Sequence, residues 1–566
     1  MKRPPNLVYG LEEAPPPVIT ALNGIQHVGL IAINLVYPLL IFRLAGLPTT
    51  TVAELLGMCL IVLGIATFLH ARRMGPLGTG FMCPATFTAA YLGPSLLAVK
   101  AGGLPLLFGM TLFAGLLEAA FANLLNRLRA IFPTEVSGLV IFMIGITAGI
   151  AGLRSMLGGE AEPVSTREWW VACLTLGTMI AFNVWGRGIG KMLCALIGLT
   201  AGYVVAAAAG LLTAEQIATV WDAPWVALPR FVHSSWSFDV GLVASFAVVS
   251  VAVAMKAAGT IAICQRMNDA DWARPDMRSV TRGVLTDGVA TALAGVMGAP
   301  GTNTSTPSVG LASATGVASR RVAYAVGTAF LLLGFMPKLA AALSIMPRSV
   351  MVAALIFTVC FIVINGLQVM SSRLLDVRRT IVIGLAIMAG VAIEAIPMIA
   401  ESAPPAMLPA VGSALVFSTL VALGLNLVFR LGVRKTVRLE IKREAINRKT
   451  VEDFLRENGA TWGARPEIIT RATFGVNQLV EAVAENCWRS GPLVLEASFD
   501  EYNLDVRLAY EGDALKFPDQ RPTDEEIIET EDGARRLAGF ILRHNADRIR
   551  PEVKDGRASV MFHFDH

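Results

Sequence analysis

The stretch Gly298-Ala299-Pro300-Gly301-Thr302-Asn303-Thr304-Ser305-Thr306-Pro307-Ser308-Val309-Gly310 decides how this chain is read. It stands where an apolar segment should enter a bilayer, yet its glycines, prolines and hydroxyl residues do not build a continuous apolar helix. Gly78-Thr79-Gly80-Phe81-Met82-Cys83-Pro84-Ala85-Thr86-Phe87-Thr88 has the same character. Irregular backbone at membrane depth is tolerated only where protein buries it or where it lines a cavity. Between residues 18 and 430 the sequence offers fourteen apolar segments able to cross or half cross a bilayer, and the two interrupted ones, near 79–98 and 304–318, are third and tenth. They hold equivalent places in two halves of seven. Matching interruptions of this kind point to a transporter substrate site where inverted repeats meet.

Composition and charge extend that reading. The 566 residues are 54% hydrophobic and 16% charged, with a mean hydropathy of +0.60, which is too apolar for a soluble multidomain protein. Residues 1–430 hold 26 Lys+Arg against 18 Asp+Glu, whereas 431–566 hold 21 against 25. Three regions follow: a cytoplasmic N-terminal segment (1–17), a membrane transporter domain (18–430) and a cytoplasmic α/β domain (431–566). With the N-terminus inside, the inner segments carry 17 Lys+Arg, among them Arg72-Arg73, Arg127, Arg129, Arg320-Arg321 and Arg378-Arg379, and the outer ones 7. That asymmetry and the even number of segments place both termini in the cytoplasm of a multi-pass protein of the cell's inner (plasma) membrane. Residues 1–17 are polar and Pro-rich, so no cleavable signal peptide is visible. The seven cysteines (59, 83, 173, 194, 264, 360, 487) show no redox or metal spacing, no cofactor or metal is expected, and a net charge of +4 leaves no nucleic-acid footprint.

One further feature stands inside the apolar segment Gly241–Cys264, where Lys256 places a charge that is expensive and usually functional. Its neighbourhood, Val253-Ala254-Met255-Lys256-Ala257-Ala258-Gly259-Thr260, joins two other motifs, Gly24-Ile25-Gln26-His27-Val28 and Pro307-Ser308-Val309-Gly310-Leu311-Ala312-Ser313-Ala314-Thr315-Gly316. On these residues, 18–430 resembles the nucleobase/ascorbate transporter family (nucleobase:cation symporter-2), which carries uracil, xanthine, urate or ascorbate. The resemblance implies an α-helical 7+7 inverted repeat, with core spans 1 to 4 and 8 to 11 and a gate of the remaining spans. It also implies short strands opening spans 3 and 10, whose half-helix N-termini face a small-molecule substrate, a purine or pyrimidine base or a related anion. H+ or Na+ as coupling ion and a homodimer through the gate spans belong to the same expectation.

The expected substrate-binding residues are Gln26, His27, Thr86, Phe87, Lys256, Thr260, Ser308, Val309 and Gly310, with Glu118 and Asp287 as coupling or structural groups. Gln26 offers a donor and an acceptor, His27 a proton relay, and Phe87 a face for a planar ring. Three positions depart from the family pattern. Lys256 replaces a carboxylate that would accept ring N–H groups, Thr260 a second polar or acidic residue, and Ser308 the signature asparagine, while Pro307 removes a Gln or Glu. A lysine facing two helix N-termini favours an anionic substrate, unless Glu118 or Asp287 pairs with it internally.

Residues 440–566 mix helical and strand patterns: helices Val451–Asn458, Val476–Trp488 and Asp532–Ala546, and strands Leu493–Phe499, Asp505–Tyr510 and Ser559–Phe564. Their order resembles a histidine-kinase-type ATPase whose motifs are damaged, with Glu481, Glu485 and Asn486 out of register and Tyr510-Glu511-Gly512-Asp513-Ala514 lacking an Asp and a Gly. This implies a regulatory pseudo-ATPase. Rival readings are a small-anion exchanger or uniporter of the sulfate-transporter-like fold and a membrane sensor with a kinase-like tail.

Overall fold

The protein is described here from a computed structural model, which describes residues 3–124, 134–157, 164–231, 235–272, 275–371, 377–396, 398–404, 411–429, 435–441, 448–462, 464, 466–499, 503–518, 520, 533–543, 546–554 and 557–565. Arg127, Arg129, Asp532 and the expected domain boundary at 430–431 lie outside these residues. The chain divides into two compact units, Met1–Met370 with Ile383–Leu423, and Ser371–Val382 with Gly424–His566.

The first unit is helical. It runs through α1 (Pro17–Ala32), α2 (Val36–Leu44), α3 (Thr49–Ala71), β1 (Ala85–Phe87), α4 (Leu92–Ala122), α5 (Thr134–Leu157), α6 (Thr166–Val184), α7 (Cys194–Ala208), α8 (Ala214–Asp222), α9 (Val240–Asn268), α10 (Met277–Met297), β2 (Thr302–Thr304), α11 (Thr306–Thr315), α12 (Arg320–Gly334), α13 (Pro337–Ser344) and α14 (Arg348–Met370). Two more helices follow, α15 (Val377–Ala395) and α16 (Ala414–Phe429). Among the described residues six helices are long and apolar enough to cross a membrane, or seven if α12 and α13, bent by 80°, count as one span. The expected segments 79–98 and 103–125 share α4, which breaks at Gly102 and Gly103, the latter at φ 69°. Trp169 and Trp170 at the start of α6 and Trp185 just past its end are exposed. Nineteen residues separate these ends by about 28 Å, so the tryptophans sit like aromatic belts at two interfaces.

Both interrupted stretches are entered through glycines in the left-handed region, Gly78 at φ 86° and Gly298 at φ 83°. A side chain at Gly78 would meet the Arg72 carbonyl, so only glycine turns the chain there. The reversal brings each stretch back as a three-residue strand followed by a helix.

Helix packing in this unit uses glycines at the contacts. A Cβ on Gly115 of α4 would lie 2.2 Å from Ala292 N, and one on Gly288 of α10 would lie 2.5 Å from Ala119 N. In α3 and α12, Gly57 and Gly64 face Gly334 and Gly327 in the same way. Apolar side chains gain little by leaving lipid for protein, so close backbone approach is what holds such helices together. Gly288→Leu is therefore expected to cut the yield of folded protein severely, since overpacking costs about 1–3 kcal/mol even where side chains can yield and here backbone must move. Detergent-extracted yield and size-exclusion profile check this. Gly177→Leu, at an exposed position with open space around its Cβ, should leave both unchanged.

The second unit carries a five-stranded antiparallel sheet of order β3-β4-β5-β7-β6, from β3 (Lys435–Ile441), β4 (Trp488–Phe499), β5 (Asn503–Gly512), β6 (Arg548–Lys554) and β7 (Arg557–Asp565). Its helices are α17 (Arg448–Trp462), α18 (Pro466–Asn486) and α19 (Gly533–Leu542). Val476, Leu479 and Val483 of α18 bury with Leu495, Leu508 and Phe562 of the sheet. The expected helix Val476–Trp488 begins ten residues earlier and ends before Trp488, which opens β4. Two strands were not expected from the sequence: β6, an edge strand that tolerates Pro551, and β3, whose Val437, Leu439 and Ile441 alternate with polar residues.

Candidate functional site

β1 and β2 pair antiparallel, with Ala85 opposite Thr304, Thr86 opposite Asn303 and Phe87 opposite Thr302. Because the strands run oppositely, the helices that follow them leave in opposite directions and their N-termini face one another. Thr88 caps the first helical turn, its hydroxyl accepting from Ala90 N at 3.3 Å. Ser305 caps α11, accepting from Ser308 N at 3.4 Å and donating to Ser308 Oγ at 3.0 Å. The N-terminal N–H groups of these helices supply partial positive charge to the same small volume.

Three further helices converge on it. α1 packs on α11, α9 packs on both β2 and α11, and α10 packs on β2. From α1, His27 is fully buried and neither ring nitrogen has a partner among the described residues; the same holds for the buried Gln26 Oε1. Buried polar atoms of this kind are rare in folded proteins, and each calls for a partner such as a water, an ion or a ligand. From α9 come Lys256 and, one turn later on the same face, Thr260. The Thr260 hydroxyl lies 3.0 Å from Lys256 O and 2.7 Å from Thr306 Oγ1, which ties α9 to the first residue of α11. Lys256 is half-buried and has no carboxylate at ion-pair distance among the described residues; the carboxylates that act on it from farther off are Asp287 and Glu118.

Asp287 of α10 is the hub beneath the strands. Its Oδ2 accepts from Asn303 Nδ2 at 2.5 Å, and its Oδ1 lies 3.4 Å from His70 Nε2 of α3. Asn303 Nδ2 also donates to Val253 O of α9 at 3.1 Å. Asp287 and Asn303 together thus link α3, β2, α9 and α10, and the Asp287, Asn303 and His70 side chains are all fully buried. Glu118 of α4 is buried as well, and Asp287 is the carboxylate that acts on it.

The other expected residues fall differently. The Thr86 hydroxyl is occupied, accepting from Asn34 Nδ2 at 2.7 Å and donating to Phe87 O at 3.2 Å. Phe87 is 1% exposed. The Val309 side chain packs in an apolar cluster with Phe81, Cys83, Ala257 and Ile261, so this residue offers the site its backbone and not its side chain. Gly310 is exposed, with open space where a Cβ would stand. Sequence reasoning missed Asn34 and His70. The signal for Asn34 was a polar residue deep in the first apolar segment, and for His70 a titratable ring at the end of the second.

The family model Xan_ur_permease, described as "Permease family", matches residues 19–399. The uric acid permease PucJ of Bacillus subtilis (strain 168) is 26% identical over 429 residues, covering 73% of this chain and 93% of its own length. The xanthine permease XanP of Escherichia coli (strain K12) is 25% identical over 441 residues, covering 75% and 94%. Among solved structures, the transmembrane domain of the cyanobacterium bicarbonate transporter BicA aligns at a TM-score of 0.45 and 16% identity, covering 74% of this chain and 99% of that one. With two thirds of its residues inside the family model, this chain belongs to the xanthine/uracil-type permease family, and it is an integral membrane transporter of a small molecule, not an enzyme.

Proposed function

We propose that the chain carries an oxopurine-type nucleobase, of the xanthine or urate kind, and takes the anionic form in preference to the neutral one. The relatives named for uric acid and xanthine support the substrate class. The observation that carries the anionic form is Lys256, which stands on α9, the helix packed on β2 and α11, and has no carboxylate at ion-pair distance among the described residues. Gln26 and His27 of α1 supply ring contacts in this reading, and the N-termini after β1 and β2 take carbonyl oxygens. The packed helix pairs support a core of spans 1 to 4 and 8 to 11 rocking against a gate, within fourteen spans arranged as a 7+7 inverted repeat; α5 pairs with α14 and α6 with α7, apart from the α3–α12 and α4–α10 pairs. Both termini are cytoplasmic, H+ or Na+ is the coupling ion, Asp287 and Glu118 respond to it, and the protein works as a homodimer in the plasma membrane.

The C-terminal region from 431 is a regulatory pseudo-ATPase in the same proposal. The groups where a nucleotide motif would stand are used internally: Asp513 pairs with Arg489 at 2.7 Å, and the Tyr510 hydroxyl donates to Asp513 O and accepts from Leu515 N. Burial holds that hydroxyl well above the usual phenol range.

Equilibrium binding by the purified protein of xanthine, urate, uracil and small carboxylates tests the substrate. Urate is expected to bind best. Binding of small carboxylates alone would overturn the nucleobase reading in favour of a small-anion exchanger.

A further inference from the structure

A second feature lies far from the paired strands. A cavity of about 820 Å³ is lined by Arg43, Lys100, Arg154, Glu168, Arg348 and Ser349 together with apolar residues, and none of its lining residues belongs to the candidate site. Thr49, the first residue of α3, also lines it, whereas Arg72 and Arg73 follow the other end of that helix. Twenty-three helical residues span about 35 Å, so the cavity opens one bilayer thickness away from that basic face.

Its charges are unusual for that position. The outer segments carry 7 Lys+Arg (Arg43, Lys100, Arg154, Arg167, Arg230, Lys338 and Arg348), and four of them line this one cavity. The single acid, Glu168, is engaged by its own helix start, where its Oε2 accepts from Ser165 N at 3.0 Å. Arg154 pairs with Glu394 at 2.9 Å. Arg43, Lys100 and Arg348 have no carboxylate at ion-pair distance among the described residues, and Arg43 and Arg348 line the same cavity wall. Arg43 is held in place by donating to Ser344 O at 2.7 Å. Beside them Ser349 is 1% exposed, and its hydroxyl is buried without a partner. Uncompensated like charges in a concave wall are unfavourable for the protein alone and favourable once an anion sits among them.

From this geometry we infer that the cavity is an anion-capture vestibule, which gathers the anionic nucleobase before it reaches Lys256. The inference rests on the nucleobase reading above. A cleft lined by one sign of charge raises the local concentration of the opposite sign and the rate of its capture. It acts on charge alone, so it discriminates urate from a neutral base of the same shape.

The test compares initial uptake of labelled urate and labelled xanthine by full-length protein in proteoliposomes, at a slightly acidic pH where urate is an anion and xanthine is neutral. Lys100→Gln combined with Arg348→Gln is the main variant, because both side chains are exposed and neither holds the fold. Arg43→Gln, at the half-buried position, is the second. The double variant is expected to raise the KM for urate roughly three- to tenfold with kcat unchanged, to leave the KM for xanthine as it was, and to flatten the salt dependence of urate uptake. An unchanged urate KM, or an equal rise for xanthine, overturns the vestibule while the nucleobase reading stands. A wild type that carries neither solute sinks that reading, and the vestibule falls with it.

Discussion

Lys256→Glu is expected to abolish uptake of an anionic nucleobase while leaving folded protein in the membrane. The lysine stands on α9 one turn before Thr260, whose hydroxyl meets Thr306 at the start of α11, and in the proposed reading its charge serves the volume beside the paired strands. Among the described residues no carboxylate stands at ion-pair distance from the ammonium, the more distant Asp287 and Glu118 are its counter-charges, and in the proposed reading an anionic substrate completes the balance. Removing one partner of a desolvated charge pair costs about 2–5 kcal/mol, which is roughly a 30-fold loss of affinity or more. Glutamate adds a second effect, because a third carboxylate near Asp287 and Glu118 repels both them and the substrate. Lys256→Gln removes only the charge and should lose urate but keep some neutral base, while Lys256→Arg should keep urate best of the three. Binding measured on purified variants separates these cases. Equal urate affinity in wild type, Lys256→Gln and Lys256→Glu would mean that the lysine serves the fold alone.

The place of the site was legible because glycine, proline and threonine cannot form an apolar helix, and two such stretches at Gly78–Thr88 and Gly298–Gly310 break an otherwise uniform pattern. What sits there chemically was less legible. Thr86 looked like a ligand by position, but its hydroxyl is taken by Asn34, fifty-two residues earlier. His70 and Asp287 meet across more than two hundred residues, and no local period reports such a meeting. Val309 belongs to the signature stretch, yet in the first turn of α11 its side chain packs into an apolar cluster. In the second unit, β3 lies before the patterns the sequence offered from residue 440 on, and the alternation of Val437, Leu439 and Ile441 was its signal. Patterning shows where backbone departs from the regular, while the partners of a buried polar group are set by tertiary packing.

Asp287→Ala should be the most damaging single change to the first unit. The carboxylate is fully buried, accepts from Asn303 Nδ2 at 2.5 Å and lies 3.4 Å from His70 Nε2, so its removal leaves a cavity, takes one of two acceptors from the Asn303 amide and takes the neighbouring carboxylate from a buried imidazole. Breaking a buried pair by deleting one partner costs about 3–5 kcal/mol, comparable to the whole margin of a marginally stable fold. The loss is local to the strand crossing, because Asn303 is the residue paired with Thr86 and also bonds Val253 of α9. Asp287→Ala is therefore expected to lower the thermal stability of the purified protein sharply and to reduce its yield. Asp287→Asn separates charge from scaffold, since its amide oxygen still accepts from Asn303. That variant should fold, and its uptake then reports what the charge contributes: retained binding with lost accumulation assigns Asp287 to coupling, whereas wild-type accumulation restricts it to holding β2 against α3 and α9. An alanine variant as stable as wild type would remove Asp287 from both roles and leave the strand crossing to its backbone pairing alone.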